Sequence, residues 1–324
     1  MQSARDELPN NSLIHPPGFY IVGLNSMAYT NIYVIFLSVV YVFTVMSNVF
    51  LITIIFYDCR LHVPKFMAIC NLSVVDLMLS TSLVPGMIKI YLFLDNFIPF
   101  KLCLVQMFTY YAILGLESIS LCILAYDRLI AICFPLRQES LNTNTKMAYI
   151  ICGIWVFGIG IALYGPISMT QLSFCGSVRV NSYFCDFAPV FRLACNDTSR
   201  QWSFATSLTI ILMFLPFSFI VLTYTCILIT VFKMKSIQSR YKALATCTEH
   251  LILVALFFSP VLVVFNLGFF GFVINTNVRV VVLSMTSCLS PCVNPIVYSL
   301  KTKEIRSRVY SLFTQRRSVQ PLKM

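Results

Sequence analysis

LCLVQMFTYYAILGLESISLCILAYDRLIAIC, residues Leu102–Cys133, carries a single carboxylate, Glu117, and no Lys or Arg before the adjacent pair Asp127 and Arg128. A run this long and apolar can cross a bilayer as a helix, which needs about 20 residues. An acid in the middle of such a run is costly, so it marks a place where function chose the residue. The acid–base pair at its end falls where the helix should reach the aqueous phase.

The same pattern repeats outward in both directions. Charge-poor apolar segments lie at 28–57, 66–93, 102–126 continuing to 133, 147–170, 202–232, 245–270 and 278–300. Between Glu7 and Asp58 there is no Asp, Glu, Lys or Arg. The chain of 324 residues is 58% hydrophobic and only 11% charged, whereas a soluble domain is about a quarter charged. The expected fold is therefore an all-α membrane protein, a seven-transmembrane helix bundle. Residues 1–27 form an extracellular N-terminus, 28–300 the membrane domain, and 301–324 a cytoplasmic tail. The N-terminus lacks a basic stretch followed by an apolar one, so the first span is expected to act as its own insertion signal. Pro166, Pro216, Pro291 and Pro295 fall inside spans, where neighbouring helices can satisfy the backbone groups that proline frees. The last two predict a kinked seventh helix.

Most of the 23 basic residues fall on one side of these spans: Arg60, Lys65, Arg128, Arg137, Lys146, the group from Lys233 to Lys242, and the tail. The basic side is expected to be cytoplasmic, which puts the N-terminus outside and the C-terminus inside. The net charge of +11 then reflects topology and contact with anionic lipid rather than nucleic acid. In the tail, Ile305, Val309, Leu312 and Phe313 recur at helical spacing among bases, as in a short amphipathic eighth helix lying on the inner leaflet.

Four of the 13 cysteines fall outside in this orientation: Cys103, Cys175, Cys185 and Cys195. An even number in an oxidising compartment fits a disulfide framework, with three pairings open. Asn10 and Asn196 head glycosylation patterns on the same outer side; the pattern at Asn71 is buried in the second span.

Within the membrane, Asp76 and Glu117 are surrounded by apolar residues, with Asn48, Ser73, Ser120 and Asn294 as polar companions. Two carboxylates in low dielectric need a cation or a proton, so this is a candidate sodium or proton site, with a structural hydrogen-bonded pair as the alternative. No other cofactor or metal is expected. Arg128 could simply snorkel to the headgroups; the alternative is a latch, with Arg128 held by Asp127. An ion-coupled transporter or channel is the main rival, but it would show inverted repeats, and none is present. A retinal protein would need a lysine mid-way along 278–300, where there is none. The three histidines, His15, His62 and His250, form no catalytic constellation, so no enzyme is expected.

LAYDRLIAIC with Pro135-Leu136 resembles the end of the third helix in rhodopsin-like G-protein-coupled receptors, and specifically in vertebrate olfactory receptors. Leu61-His62-Val63-Pro64 is similar to their first inner loop, and Asn71-Leu72-Ser73 with Asp76-Leu77 to their second helix. Glu117-Ser118 matches their acidic position in helix three. Lys242-Ala243-Leu244-Ala245-Thr246-Cys247 with His250-Leu251 is similar to the signature opening the sixth helix. Pro291-Cys292-Val293-Asn294-Pro295-Ile296-Val297-Tyr298 matches the seventh. Departures at Lys65-Phe66-Met67, at Leu129 and at Phe257-Phe258-Ser259 point to a fish-type odorant receptor.

The resemblance implies the pairs Cys103–Cys185 and Cys175–Cys195, and a switch built from Asp127, Arg128, Tyr224, Asn294, Pro295 and Tyr298. It also implies a small odorant in the outer half of the bundle. On helix three, Met107, Tyr110, Tyr111 and Leu114 share one face. Leu208, Leu212, Phe258, Val261, Leu262, Phe265, Ser284 and Ser287 are their expected partners. Lys89, Lys101, Arg179, Arg192 and Arg279 could attract an anionic, water-soluble odorant, but most are read as loop charges in water. The further implied partners are a stimulatory olfactory-type heterotrimeric G protein that raises cAMP, and membrane lipid. The implied location is the plasma membrane of olfactory cilia.

Overall fold

The computed structural model describes residues 14–25, 27–269, 275–302 and 304–308, without the side chains of 265–269, 300 and 301. Asn10, Val309, Leu312, Phe313 and the side chain of Phe265 lie outside the described residues.

A short strand, β1 (Gly18–Ile21), leads into α1 (Thr30–Tyr57) and α2 (Pro64–Tyr91). Pro64 starts α2, where its missing N–H costs nothing. Then come β2 (Phe97–Pro99), α3 (Phe100–Cys133), the single turn α4 (Gln138–Leu141) and α5 (Asn144–Met169). The Thr143 side chain caps α5 by accepting from the Lys146 N–H. The loop after α5 carries β3 (Arg179–Val180) and the short α6 (Phe187–Phe191). A fifth span follows, α7 (Ser199–Thr209) running through one π turn (Ile210–Phe214) into α8 (Leu215–Lys233). Last are α9 (Ile237–Phe269) and α10 (Thr276–Lys301).

Seven helices are thus long and apolar enough to cross a membrane, as the sequence predicted. Their burial sorts them. In its most apolar stretch α3 is 72% buried, α1 only 28% and α5 only 17%. So α3 is the axis of the bundle, while α1 and α5 turn most of their surface to lipid. Helix α9 starts earlier than the expected 245, because the polar turn Ile237–Leu244 continues the helix beyond the apolar run.

The all-α expectation missed a three-stranded sheet at the end of the bundle assigned to the outside, called the outer end below. There β1 pairs antiparallel with β2 (Gly18 opposite Pro99) and parallel with β3 (Tyr20 opposite Arg179). The strands are too short to show alternation in the sequence. Two glycines permit the close approach. A Cβ on Gly18 would sit on the carbonyl oxygen of Ile98, and one on Gly23 on that of Ser182.

At the opposite end, residues 304–308 are helical and dock on the turn between α1 and α2. Ile305 is fully buried, Lys65 pairs with Glu304 at 4.0 Å, and Arg308 pairs with Asp58. The Arg308 guanidinium holds the Asp58 carboxyl below the usual carboxylate range. A depressed carboxylate contributes above its unfolded pKa and fails only as pH falls through the folded one, so this tether persists at neutral pH.

Gly23→Val is expected to abolish cell-surface expression, because a backbone carbonyl cannot yield to the new side chain. Gly153→Ala and Gly160→Ala, with nothing near their Cβ positions, should express normally. Surface immunolabelling of the three variants checks this.

Candidate functional site

Proline shapes the site first. Pro295 has no N–H to give the carbonyl of Pro291, one turn earlier. Asn48 on α1 supplies the missing donor, its Nδ2 lying 3.0 Å from Pro291 O. Pro216 likewise leaves Leu212 O without its usual partner, and Ser118 on α3 donates to it at 2.5 Å. Cys122, one turn further along α3, reaches Pro216 O at 3.4 Å. Asn48, a predicted polar position, and Ser118, which was not predicted as one, therefore act as staples between helices.

Below these staples is the acidic interior. Asp76 and Glu117 are both fully buried. Asn294 Nδ2 donates to both oxygens of Asp76, at 2.9 and 3.1 Å, and Ser290 donates to Glu117 Oε1 at 2.7 Å. Among the described residues three shielded oxygens here have no donor: Asn48 Oδ1, Glu117 Oε2 and Asn294 Oδ1. Among the described residues neither carboxylate has a cationic partner. Unpaired carboxylate and amide oxygens are the donor set that a hard cation takes, so the residues present fit the expected sodium. Ser120 does not join them. It accepts from Asn71 Nδ2 at 2.8 Å, while Trp155 Nε1 donates to Asn71 Oδ1 at 2.8 Å, tying α2, α3 and α5 together.

At the inner end the expected latch is replaced. Asp127 Oδ1 accepts from Asn142 at 2.8 Å, and among the described residues no ion pair joins it to Arg128. The reason is helical geometry, since adjacent residues on a helix do not face each other. Arg128 instead lines a cleft of about 370 Å³ with Ala131, Ile132, Pro135, Met234, Lys242, Ala243 and Thr246. Behind it, His250 on α9 bridges three helices. Its Nε2 is 2.9 Å from Leu121 O on α3 and its Nδ1 is 2.8 Å from the Tyr224 hydroxyl on α8. A carbonyl can only accept, so Nε2 carries the proton, and in the neutral ring Nδ1 accepts from Tyr224. Tyr298 is buried, and among the described residues its hydroxyl has no partner.

The outer half of the bundle is filled by the protein itself. The bonded pair Cys103–Cys185 pins the loop before α6 onto α3, and Cys175–Cys195 closes that loop. The segment Ser182–Phe187 drops between the helices. The Tyr110 hydroxyl is 3.3 Å from that of Tyr183 and 3.4 Å from Ser287 Oγ, and the Tyr110 ring packs 4.2 Å from that of Phe184. Ser284 bonds Tyr33 at 2.6 Å, a residue of α1 that sequence reasoning did not single out. Leu212 fills the notch left by Gly115, Phe258 packs on Phe217 and Phe257, and Val261 is buried. Leu114 is buried and Leu262 half-buried. Met107, Tyr111 and Leu208 border a void of only about 10 Å³ with Phe187 and Phe204. Arg279, expected as a loop charge in water, pairs instead with Asp186 at 3.3 Å. A family profile described as "Olfactory receptor" matches residues 37–316.

The chain belongs to the olfactory receptor family. Olfactory receptor 2V1 of Mus musculus is 35% identical over 290 residues, covering 89% of this chain and 91% of its own. Olfactory receptor 51E2 of Homo sapiens is 33% identical over 296 residues, covering 91% and 92%. Olfactory receptor 6Y1 of Homo sapiens is 32% identical over 267 residues, covering 82% of each. The receptor is thus an odorant-sensing, multi-pass membrane protein of the G-protein-coupled class, and a receptor rather than an enzyme.

Asn196 of this receptor is exposed, but its amide is engaged: Oδ1 accepts from Ser173 N and Nδ2 donates to Gln171 O. Sequence reasoning placed His250 in a family signature but missed its role as a bridge. The available signal was a lone imidazole within an apolar helix. It also missed Asp186 and Tyr111 as a pair, 2.6 Å apart, because nothing in either local sequence points to the other.

Asn48→Leu, of similar size, should destabilise the receptor by about 1–3 kcal/mol, the penalty for stranding a buried carbonyl. Asn48→Asp should be worse, since a carboxylate offers Pro291 O no donor. Thermal unfolding of the detergent-solubilised receptor measures both.

Proposed function

We propose that the receptor lies with its N-terminus outside and its C-terminus inside the plasma membrane of olfactory cilia. It binds a small odorant in the outer half of the bundle and activates a stimulatory olfactory-type G protein, raising cAMP. The observation that carries this reading is the His250 bridge. It ties α9 to α3 and α8 directly behind the cleft that holds Arg128. Movement of α9 away from α3 breaks those bonds and widens the cleft, which suits entry of a G-protein segment. An odorant need only favour that arrangement, and each tenfold shift in population requires about 1.4 kcal/mol of differential binding. The odorant site comprises the outer faces of α3, α7, α9 and α10 around Tyr110, Tyr111 and Ser287, reached when Ser182–Phe187 shifts. Asp127, Arg128, Tyr224, Asn294, Pro295 and Tyr298 form the switch. The departures at Lys65, Leu129 and Phe258 support a fish-type receptor.

Glycosylation is assigned to Asn10 and Asn196. The acidic interior holds one sodium ion or a proton, between Asp76 and Glu117, with the oxygens of Asn48 and Asn294 completing it. Bound there, a cation supplies the positive charge that these carboxylates otherwise lack. Asp76 orients Asn294, and Glu117 orients Ser290.

In cells supplied with an olfactory-type G protein, an active odorant pool should raise cAMP, and Arg128→Ala should remove the rise while surface expression persists. An unchanged response would overturn the switch assignment. Sodium chloride, against choline chloride, should raise the unfolding temperature of the purified receptor. At about ten times its dissociation constant the ion contributes about 1.4 kcal/mol, and Asp76→Asn should abolish the difference.

A further inference from the structure

We infer that Arg279, with Arg192 beside it, forms an anion subsite at the outer end of the bundle that takes the carboxylate of a small monocarboxylic acid. This rests on the odorant-receptor reading and names the chemical class of ligand.

Three observations carry the inference. The first is donor and acceptor accounting around Asp186. Its carboxylate is 10% exposed and already takes three donors: Tyr111 Oη at 2.6 Å, Arg279 at 3.3 Å and Ser182 Oγ at 3.4 Å. Arg279 is under-used by contrast. Among the described residues its one hydrogen bond runs from the guanidinium tip to Asp186, and its Nε–H is shielded from solvent with no acceptor. A buried guanidinium N–H without a partner is costly, and the fork geometry of arginine is made for the two oxygens of a carboxylate.

The second observation is charge. Arg192 lies within electrostatic range of both Arg279 and Asp186, its guanidinium stacked 4.7 Å over the Trp202 ring. Two guanidiniums and one carboxylate sum to one positive charge. From His250 to Val278 the sequence contains no Asp or Glu to cancel it. A ligand bearing a single negative charge neutralises the cluster; a dianion or an amine does not.

The third is position. Asp186 follows Cys185, which is bonded to Cys103, and precedes Phe187, whose ring lines the void beside Met107 and Leu208. The void there is only about 10 Å³, so the hydrocarbon part of the acid lies on the side of Phe187, in space opened when Ser182–Phe187 shifts. Small acids with a short alkyl or aryl tail match that pairing of a charged head with an apolar floor. Asp186 keeps Tyr111 and Ser182 as donors when Arg279 turns to the ligand.

The test uses the full-length purified receptor with sodium hexanoate and sodium phenylacetate as probes and their methyl esters as controls. Thermal unfolding is the binding readout, with ionic strength held constant. Both acids should raise the unfolding temperature, the esters should not, and Arg279→Gln should lose the shift. Because Arg279→Gln alone strands Asp186, the charge-balanced double variant Arg279→Gln with Asp186→Asn is measured alongside, and it too should ignore the acids. Stabilisation of the wild type by the esters as strong as by the acids would overturn the subsite. So would a shift surviving in either variant, or the absence of any shift with the acids. The same probes are applied to cells for cAMP. Arg279-dependent binding without a cAMP response would leave the subsite standing and refute the receptor mechanism. A cAMP response to neutral odorants without acid binding would do the reverse.

Discussion

A backbone group inside a bilayer has no water to turn to, and this constraint organises the structure. Proline breaks the rule locally by withdrawing an N–H from the helix, and each such break needs a donor from elsewhere. Pro295 is answered by Asn48 on α1 and Pro216 by Ser118 on α3. An ordinary hydrogen bond contributes about 0.5–1.5 kcal/mol net, but a stranded buried carbonyl costs about 1–3 kcal/mol. The prolines that look like defects in the spans are therefore what fixes α1 against α10 and α3 against the fifth span.

The same scarcity of water makes the interior sensitive. Asp76, Asn294, Glu117 and Ser290 are bonded in pairs, yet three shielded oxygens among these residues and Asn48 stay unanswered. On the proposed reading a sodium ion or a proton answers them, and a rearrangement of α10 against α2 and α3 would change how well it is held. His250 presents the complementary case. Its two nitrogens are both satisfied, by Leu121 and Tyr224, so specific bonds as well as packing tie the inner part of α9 to α3 and α8.

The outer end follows a different logic. There the disulfide Cys103–Cys185 fixes a loop deep between the helices, and the loop supplies Tyr183, Phe184 and Asp186 to a space the helices leave open. The central strand β1 crosses above, wedged between β2 and β3 by Gly18 and Gly23. On the proposed reading, recognition of a ligand here exchanges its groups for those of the protein's own loop, whose polar partners set the chemistry of the exchange.

The number and order of spans, the identity of the interior acids and the motifs at the helix ends were legible in the sequence. Each depends on one segment's own composition against a slab of fixed thickness. Partners were not legible. Asn48 and Pro291 are 243 residues apart, and Asn294 and Asp76 are 218 apart, so no local pattern connects them. The adjacency of Asp127 and Arg128 in sequence even misled, because neighbours on a helix point apart and Asn142 takes the acid instead. Arg279, read as a loop charge, proved to pair with Asp186, which nothing in the sequence had singled out. The chain's local chemistry sets which groups must be satisfied inside the membrane; only the packing of distant helices decides which group satisfies which.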